Sequence, residues 1–158
     1  SGNLFSEFLL TDFEAVTGRL PQYADTPNVR WFCHKSFYHN VMERLQLAAG
    51  GVTSVEIREG ARVFRFLGYE VQFTQVMPAV DANDQVCAIL GDLALGTKFG
   101  DRRQNTVAID TSLGFANDQW AIRSTQRWDF NCHETGNVSA TAADRVPGPI
   151  IALASAAS

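Results

Sequence analysis

Long hydrophobic runs are what this 158-residue chain most plainly lacks. No apolar stretch approaches the roughly 20 residues that carry a helix across a bilayer, so nothing in the sequence points to a membrane. Basic charge is in short supply too: 13 Lys and Arg face 17 Asp and Glu, a net charge of −4. A nucleic-acid groove depends on clustered cations that displace counterions, and this balance argues against one. Cysteine is scarce and odd in number. Cys33, Cys87 and Cys132 cannot all pair and lack the spacing of a secreted disulfide framework. They read as reduced, small buried residues of a cytosolic product. No signal peptide is visible, and the start at Ser1 suggests a fragment, a processed product or a tagged one. What is present suffices for a core: 46% hydrophobic and 19% charged residues describe a soluble globular chain of about one domain.

The residues that usually carry chemistry do not gather into a motif. Cys33-His34 and Cys132-His133 look like two halves of a Cys/His metal site, but neighbours in a strand point to opposite faces. His34 and His39 lie five apart, about 140° around a helix at 100° per residue. No Cys-x-x-Cys or His-x-x-x-His accompanies them. There is no Gly-x-Ser-x-Gly elbow and no His-Glu-x-x-His. Glu56, Glu59, Glu70, Asp81, Asp84 and Asp92 are scattered, with no reason to select a catalytic pair. The Cys132-His133-Glu134 row is sequential, whereas a catalytic Cys and His usually come from distant parts of a chain.

One stretch imitates a phosphate loop. In "GDLALGTKFGDRR" (Gly91–Arg103), Gly91 and Gly96 have the separation of a Walker A motif. The motif needs Lys and then Ser/Thr directly after the second glycine, at the first turn of a helix. Here Thr97 precedes Lys98, and Gly100 with "DRRQN" leaves no room for a helix of useful length. Without that helix, both the dipole and the row of backbone donors that hold an anion are lost. No nucleotide, metal or other cofactor is expected.

Periodicity gives mixed structure without repeats or linkers. Phe5, Phe8, Leu9, Phe13 and Val16 recur at helical spacing, with Gly18 and Pro21 as the stop. Val29, Trp31 and Cys33 alternate as a short strand. Ser36 is expected to cap a second helix through Phe37, Val41, Leu45 and Ala48, ended by Gly50-Gly51. From Val52 the period becomes two: Phe64 and Phe66 alternate with arginines, and Tyr69, Val71 and Phe73 with polar residues. Val86–Leu90 reads as a short buried strand and "TVAID" as another, with a turn at Asn117-Asp118. Trp120, Ile122, Trp128, Phe130 and Cys132 then share one parity and are expected to face one core, opposite Arg123, Arg127 and Asp129. The tail "GPIIALASAAS" offers one more strand. Helices early and mostly antiparallel strands later make an α+β pattern, not a doubly wound sheet.

A resemblance accounts for the glycine-rich stretch. "RFLGYEVQFTQVMP" (Arg65–Pro78) is similar to the "Leu-Gly-x-Pro-Val … Met-Pro" segment of tailed-phage major capsid proteins of the Hong Kong 97 type. That family continues with a Gly-Asp-Leu/Phe step, an Asp-Arg turn, a strand, a phenylalanine and an Arg-x-x-x-Arg-x-Asp ribbon. The order is matched by Gly91-Asp92-Leu93, Asp101-Arg102, Val107–Ser112, Phe115, then Arg123, Arg127 and Asp129. Upstream, "WFCHKSFYHNVMERL" resembles the family's strand followed by a helix. Glu70 stands where many members have proline, and "NCHETGNVSATAADRVPGP" is longer than the usual return strand.

The resemblance implies an α+β capsid fold: an axial domain with a mixed/antiparallel sheet and flanking helices, plus part of a peripheral domain. Residues 1–28 would be the end of the peripheral helix and its connection, and 29–118 the axial domain. Residues 119–158 would be a return ribbon and peripheral strand, with the family's N-terminal arm and extended loop absent. It implies a non-enzymatic subunit that joins copies of itself into pentamers and hexamers around DNA in a virion, with scaffold or maturation proteins as further partners. The exposed loop "GTKFGDRRQN" supplies the candidate self-assembly contacts Lys98, Asp101, Arg102 and Arg103. An encapsulin-like compartment shell, or a small enzyme with a cryptic Cys/His or carboxylate site, are the alternatives.

Overall fold

The computed structural model describes residues 4–50, 55–58, 60–114, 117, 119–134, 136–137 and 145–156. Among the described residues, eight strands follow in chain order: β1 (Arg30–Cys33), β2 (Val55–Arg58), β3 (Ala61–Phe66), β4 (Tyr69–Phe73), β5 (Val86–Gly91), β6 (Thr97–Gly114), β7 (Gln119–Cys132) and β8 (Ile150–Ala154). Six of them form a mixed sheet in the order β2-β3-β4-β1-β5-β8. The β1 strand lies parallel to β4 and antiparallel to β5, so Trp31 is level with Val71 on one side and Leu90 on the other. The alternation of Val29, Trp31 and Cys33 is realised as expected, with all three buried. β3 and β4 form a hairpin whose two-residue turn, Leu67-Gly68, has positive φ at both positions (48° and 86°). That geometry matches the right-handed strand twist. It suits Gly68 and strains Leu67, because a Cβ crowds the following carbonyl there.

The helices depart from the periodicity in two places. The expected helix from Phe5 to Val16 is broken: a 3₁₀ turn (Phe5–Glu7) precedes extended Phe8, and α1 begins only at Leu10, running to Gly18. Two interactions hold the break. The Leu9 backbone N–H donates to the Asp12 carboxylate, which starts the new helix, and the Arg44 guanidinium donates to the carbonyls of Phe5, Ser6 and Phe8. In the second helical stretch, His34 replaces Ser36 as the cap, its Nδ1 accepting from the Ser36 N–H at 3.1 Å. The rod then runs through α2 (Lys35–Phe37), a π-helical segment (Tyr38–Glu43) and α3 (Arg44–Ala48). Within the widened π turn and just before it, Phe37, Tyr38, Val41 and Met42 are all buried. Gly50, with φ 76°, ends the rod. Gly51, Val52, Phe115 and Asp118 lie outside the described residues.

The core is an aromatic cluster on one face of the sheet. Phe13 is fully buried, with ring centroids 4.9 Å from Phe66, 5.7 Å from Trp31 and 6.3 Å from Phe37. A second group, Tyr38, Phe64 and Phe73, packs edge-on and tilted beside it.

The chain divides into two compact units, residues 1–96 with 134–158 and residues 97–133. The second unit is a two-stranded antiparallel ribbon of β6 and β7. Its strands are 18 and 14 residues long, and the register shifts at Asp101/Arg103 and Arg103/Thr106 put extra residues on β6. The shared parity of Trp120, Ile122, Trp128 and Phe130 is real, but the face they form is not a core. Each is between 58% and 70% exposed. Alternation assigns side chains to a common face and carries no information about what covers it.

Burial therefore separates the tryptophans. Trp31→Ala is expected to destabilise the sheet unit by about 3–5 kcal/mol, as buried aromatic truncations do. Trp128→Ala should change that unit by less than about 1 kcal/mol. Urea unfolding followed by far-ultraviolet circular dichroism measures both, and equal losses would contradict the exposure of the ribbon face.

Candidate functional site

The Gly91–Gly96 stretch is built for packing. Gly91 ends β5 beside Ile150 of β8, where an added Cβ would lie 2.3 Å from the Pro149 carbonyl oxygen. That close approach to backbone accounts for glycine. Asp92, 4% exposed, starts the single turn α4 (Leu93–Gly96): its Oδ1 accepts from the Ala94 N–H at 2.9 Å and the Leu95 N–H at 3.3 Å. Its other oxygen accepts from the Thr26 hydroxyl. The Ala94 and Leu95 N–H groups, which a phosphate would use, are thus turned to Asp92, and the chain continues at Thr97 as a strand. Repulsion between this buried carboxylate and a phosphate adds to the misfit.

The expected exposed loop "GTKFGDRRQN" is instead part of β6, because the glycine and charged residues pair across the ribbon. Lys98 is level with Asn131, Asp101 with Trp128 and Arg103 with Arg127. Lys98, Asp101 and Arg102 are exposed. They do not form one patch: Lys98 and Asp101 fall on opposite faces by alternation, and Arg102 sits in the first register shift. Asp101 shares a face with Phe99, whose ring stacks on Trp128 with centroids 6.1 Å apart.

Cys33 and His34 point to opposite sides, whereas Cys132 and His133 are both exposed. Cys33 points into the core, where burial pushes its thiol up to about 12, and burial also raises Cys87. His34 turns the other way, into a cleft of about 530 Å³ that it lines with Lys35, His39 and Thr74. His34 and His39 share that cleft although their spacing placed them apart, because His34 precedes the helix as its cap. His39 pairs with Glu43 one turn on. Among the described residues no three Cys, His, Asp or Glu side chains gather closely enough to hold a metal ion. The carboxylates form surface partnerships: Glu70 with Arg30 at 3.2 Å, Asp25 with Tyr69, and Glu134 with Tyr23. The hydrogen bond to Glu134 raises the Tyr23 pKa, and for Tyr69 burial and then the Asp25 charge act the same way.

No protein-family model matches the chain, and no curated protein is significantly similar to it. Among solved structures, it is similar to the capsid of an empty GTA particle computed with C5 symmetry. The two superpose with a TM-score of 0.57 at 16% sequence identity. The match covers 99% of this chain and 47% of that one, so the chain spans about half the length of the capsid subunit it resembles. The fold is shared. No described helix is long and apolar enough to cross a membrane.

Two outcomes check the local chemistry. Asp92→Ala removes the acceptor for two turn N–H groups and one hydroxyl, and is expected to cost about 2–4 kcal/mol in urea unfolding. Millimolar Mg-ATP should leave the wild-type melting temperature unchanged; a rise of several degrees that Lys98→Ala abolishes would restore the phosphate-loop reading. Separately, a thiol reagent at pH 8 should label exposed Cys132 rapidly and spare Cys33 and Cys87 until the chain unfolds.

Proposed function

We propose that this chain is the structural subunit of a phage-type capsid with a Hong Kong 97-type fold, self-assembling into pentamers and hexamers that enclose DNA. The observation that carries the reading is the shared fold with a capsid subunit over 99% of the chain. The family-like segments support it from the sequence side, and they fall on coherent elements: Arg65–Phe73 of the first on the β3–β4 hairpin, Gly91-Asp92-Leu93 at the step from β5 into α4, and Arg123, Arg127 and Asp129 on β7. In this reading residues 29–118 form the domain around the symmetry axis, and residues 1–28 and 119–158 belong to the peripheral domain. Lys98, Asp101, Arg102 and Arg103 serve as contacts between copies. A shell needs rigid bodies whose many weak, polar, shape-specific edges repeat in closed symmetry, and single exposed ion pairs worth at most about 1 kcal/mol are enough when multiplied.

The test is to express the full reading frame that contains these residues and image the product by negative-stain electron microscopy. Closed icosahedral particles enclosing DNA are expected. Particles that enclose a protein cargo would favour a cellular compartment, and a frame that yields only soluble monomers would overturn the reading. Replacing residues 98–132 with a short Gly/Ser linker should abolish particles while leaving the sheet unit folded.

A further inference from the structure

The ribbon presents one face on which apolar side chains are collected and left in water. Near its base, Phe99, Trp128 and Phe130 form an aromatic cluster, with Phe99 level with Phe130 and stacked on Trp128. Towards its tip, Val107, Ile109 and Ile122 continue the face, Ile109 being level with Ile122, and Trp120 follows by alternation. All seven are between 57% and 70% exposed. The opposite face carries Lys98, Arg123, Arg127 and Asp129 instead, so the ribbon is amphipathic in the manner of a sheet with one covered side. An isolated two-stranded ribbon is marginally stable in water, and a covering layer is what normally stabilises it. At about 100–150 Å² of exposed area each, the seven side chains amount to roughly 700–1,000 Å². A stable protein–protein interface takes about 800 Å² from each partner. The face is thus large enough to hold a dimer by itself.

We infer that this face is an interface between copies of the chain: it packs against the same face of a second copy, ribbon on ribbon, about a two-fold axis. The inference deepens the proposed function and rests on it for the identity of the partner. An isologous contact uses one patch twice, and an apolar patch on an apolar patch satisfies that without further complementarity. Charge decides the orientation. Asp101 shares the apolar face, level with Trp128 near the base. Ribbons aligned in parallel would set Asp101 against its own copy, two carboxylates facing each other in a partly dried interface. Running antiparallel, the ribbons hold the two Asp101 side chains at opposite ends of the overlap. The aromatic base of one copy then lies on the Val/Ile tip of the other, about 10 Å between layers as in other packed sheets.

Sedimentation equilibrium of the 158-residue chain from roughly 1 to 100 µM tests this, with a reversible monomer–dimer equilibrium expected in that range. Tryptophan emission should shift to the blue with concentration as Trp120 and Trp128 leave water. Trp128→Ser with Ile122→Ser should weaken the dimer by at least about tenfold. Arg123→Ser with Arg127→Ser, on the other face, should leave it within about twofold. Near-ultraviolet circular dichroism checks that each variant keeps the packed core around Trp31. In a Cys132→Ser background, Gln126→Cys near mid-ribbon should be joined between copies by a short bis-maleimide that spans the roughly 10 Å between layers, as the antiparallel arrangement requires. A chain that stays monomeric throughout, a dimer equally sensitive on both faces, or a dimer that Gln126→Cys fails to crosslink would overturn the inference. The capsid reading is tested apart from it. Full-length shells that assemble normally with Trp128→Ser and Ile122→Ser would sink the ribbon interface and leave the capsid standing. A ribbon dimer from a frame that never forms shells would do the reverse.

Discussion

Phe13 is the side chain through which the sheet unit is held together. Its ring meets Trp31 of β1, Phe66 of β3, Phe37 of the helical rod and Phe8 of the N-terminal extended link. Four segments separated in sequence are thereby fixed against one residue of α1. Such tilted and edge-on aromatic pairs contribute about 0.5–1.5 kcal/mol each beyond the area they bury, and they also fix direction. The mixed sheet depends on this. A parallel β1–β4 pair cannot be closed by a tight turn, so the crossover through residues 35–66 must be anchored to the face it covers. Phe37 and Phe66, at the two ends of that crossover, are both in the cluster.

Around this centre, polar groups fix the places where the chain changes course. Arg44 binds three carbonyls of the broken N-terminal helix, so the rod and the N-terminal segment are tied by charge-assisted bonds as well as by rings. At the other side of the sheet, buried Ser155 donates to the Ala82 carbonyl at 2.6 Å and accepts from the Gln85 N–H at 2.9 Å. The Ser155 N–H donates in turn to the Gln85 carbonyl. The end of β8 is thereby clamped to the start of β5, just ahead of the register shift between Val86 and Ala88.

The sequence is most legible where one face alone determines the pattern. Val29, Trp31 and Cys33 could be assigned to a buried strand, and Cys87–Leu90 to another, because alternation or continuous apolarity is sufficient there, although Val86 at its start is exposed. Phe5 and Phe8 kept helical spacing with Phe13 even though the helix breaks at Phe8–Leu9. Their burial is real, and only the Arg44 and Asp12 hydrogen bonds, invisible in a spacing pattern, reveal the break. Gly100, Asp101, Arg102 and Arg103 look like a turn by composition, yet a long partner strand with register shifts accommodates them. At the candidate site, the departure of "GDLALGTK" from a phosphate loop was readable from residue order. The buried role of Asp92 was not, because its partner Thr26 is distant in sequence. The ribbon showed the converse: its common apolar face was evident, and its exposure was not.

In chain order, the ribbon falls between two strands that pair with each other. β5 and β8 pair directly, and the intervening ribbon starts and finishes on a matched pair, Thr97 opposite Cys132. Nothing in the β5–β8 ladder depends on how far the ribbon extends before it returns. The entropy of closing a longer excursion grows only logarithmically with its length, by roughly 0.6 kcal/mol per doubling. Descendants of this gene can therefore lengthen or trim the ribbon by matched pairs of residues at small thermodynamic cost, changing reach while the body that carries it stays the same.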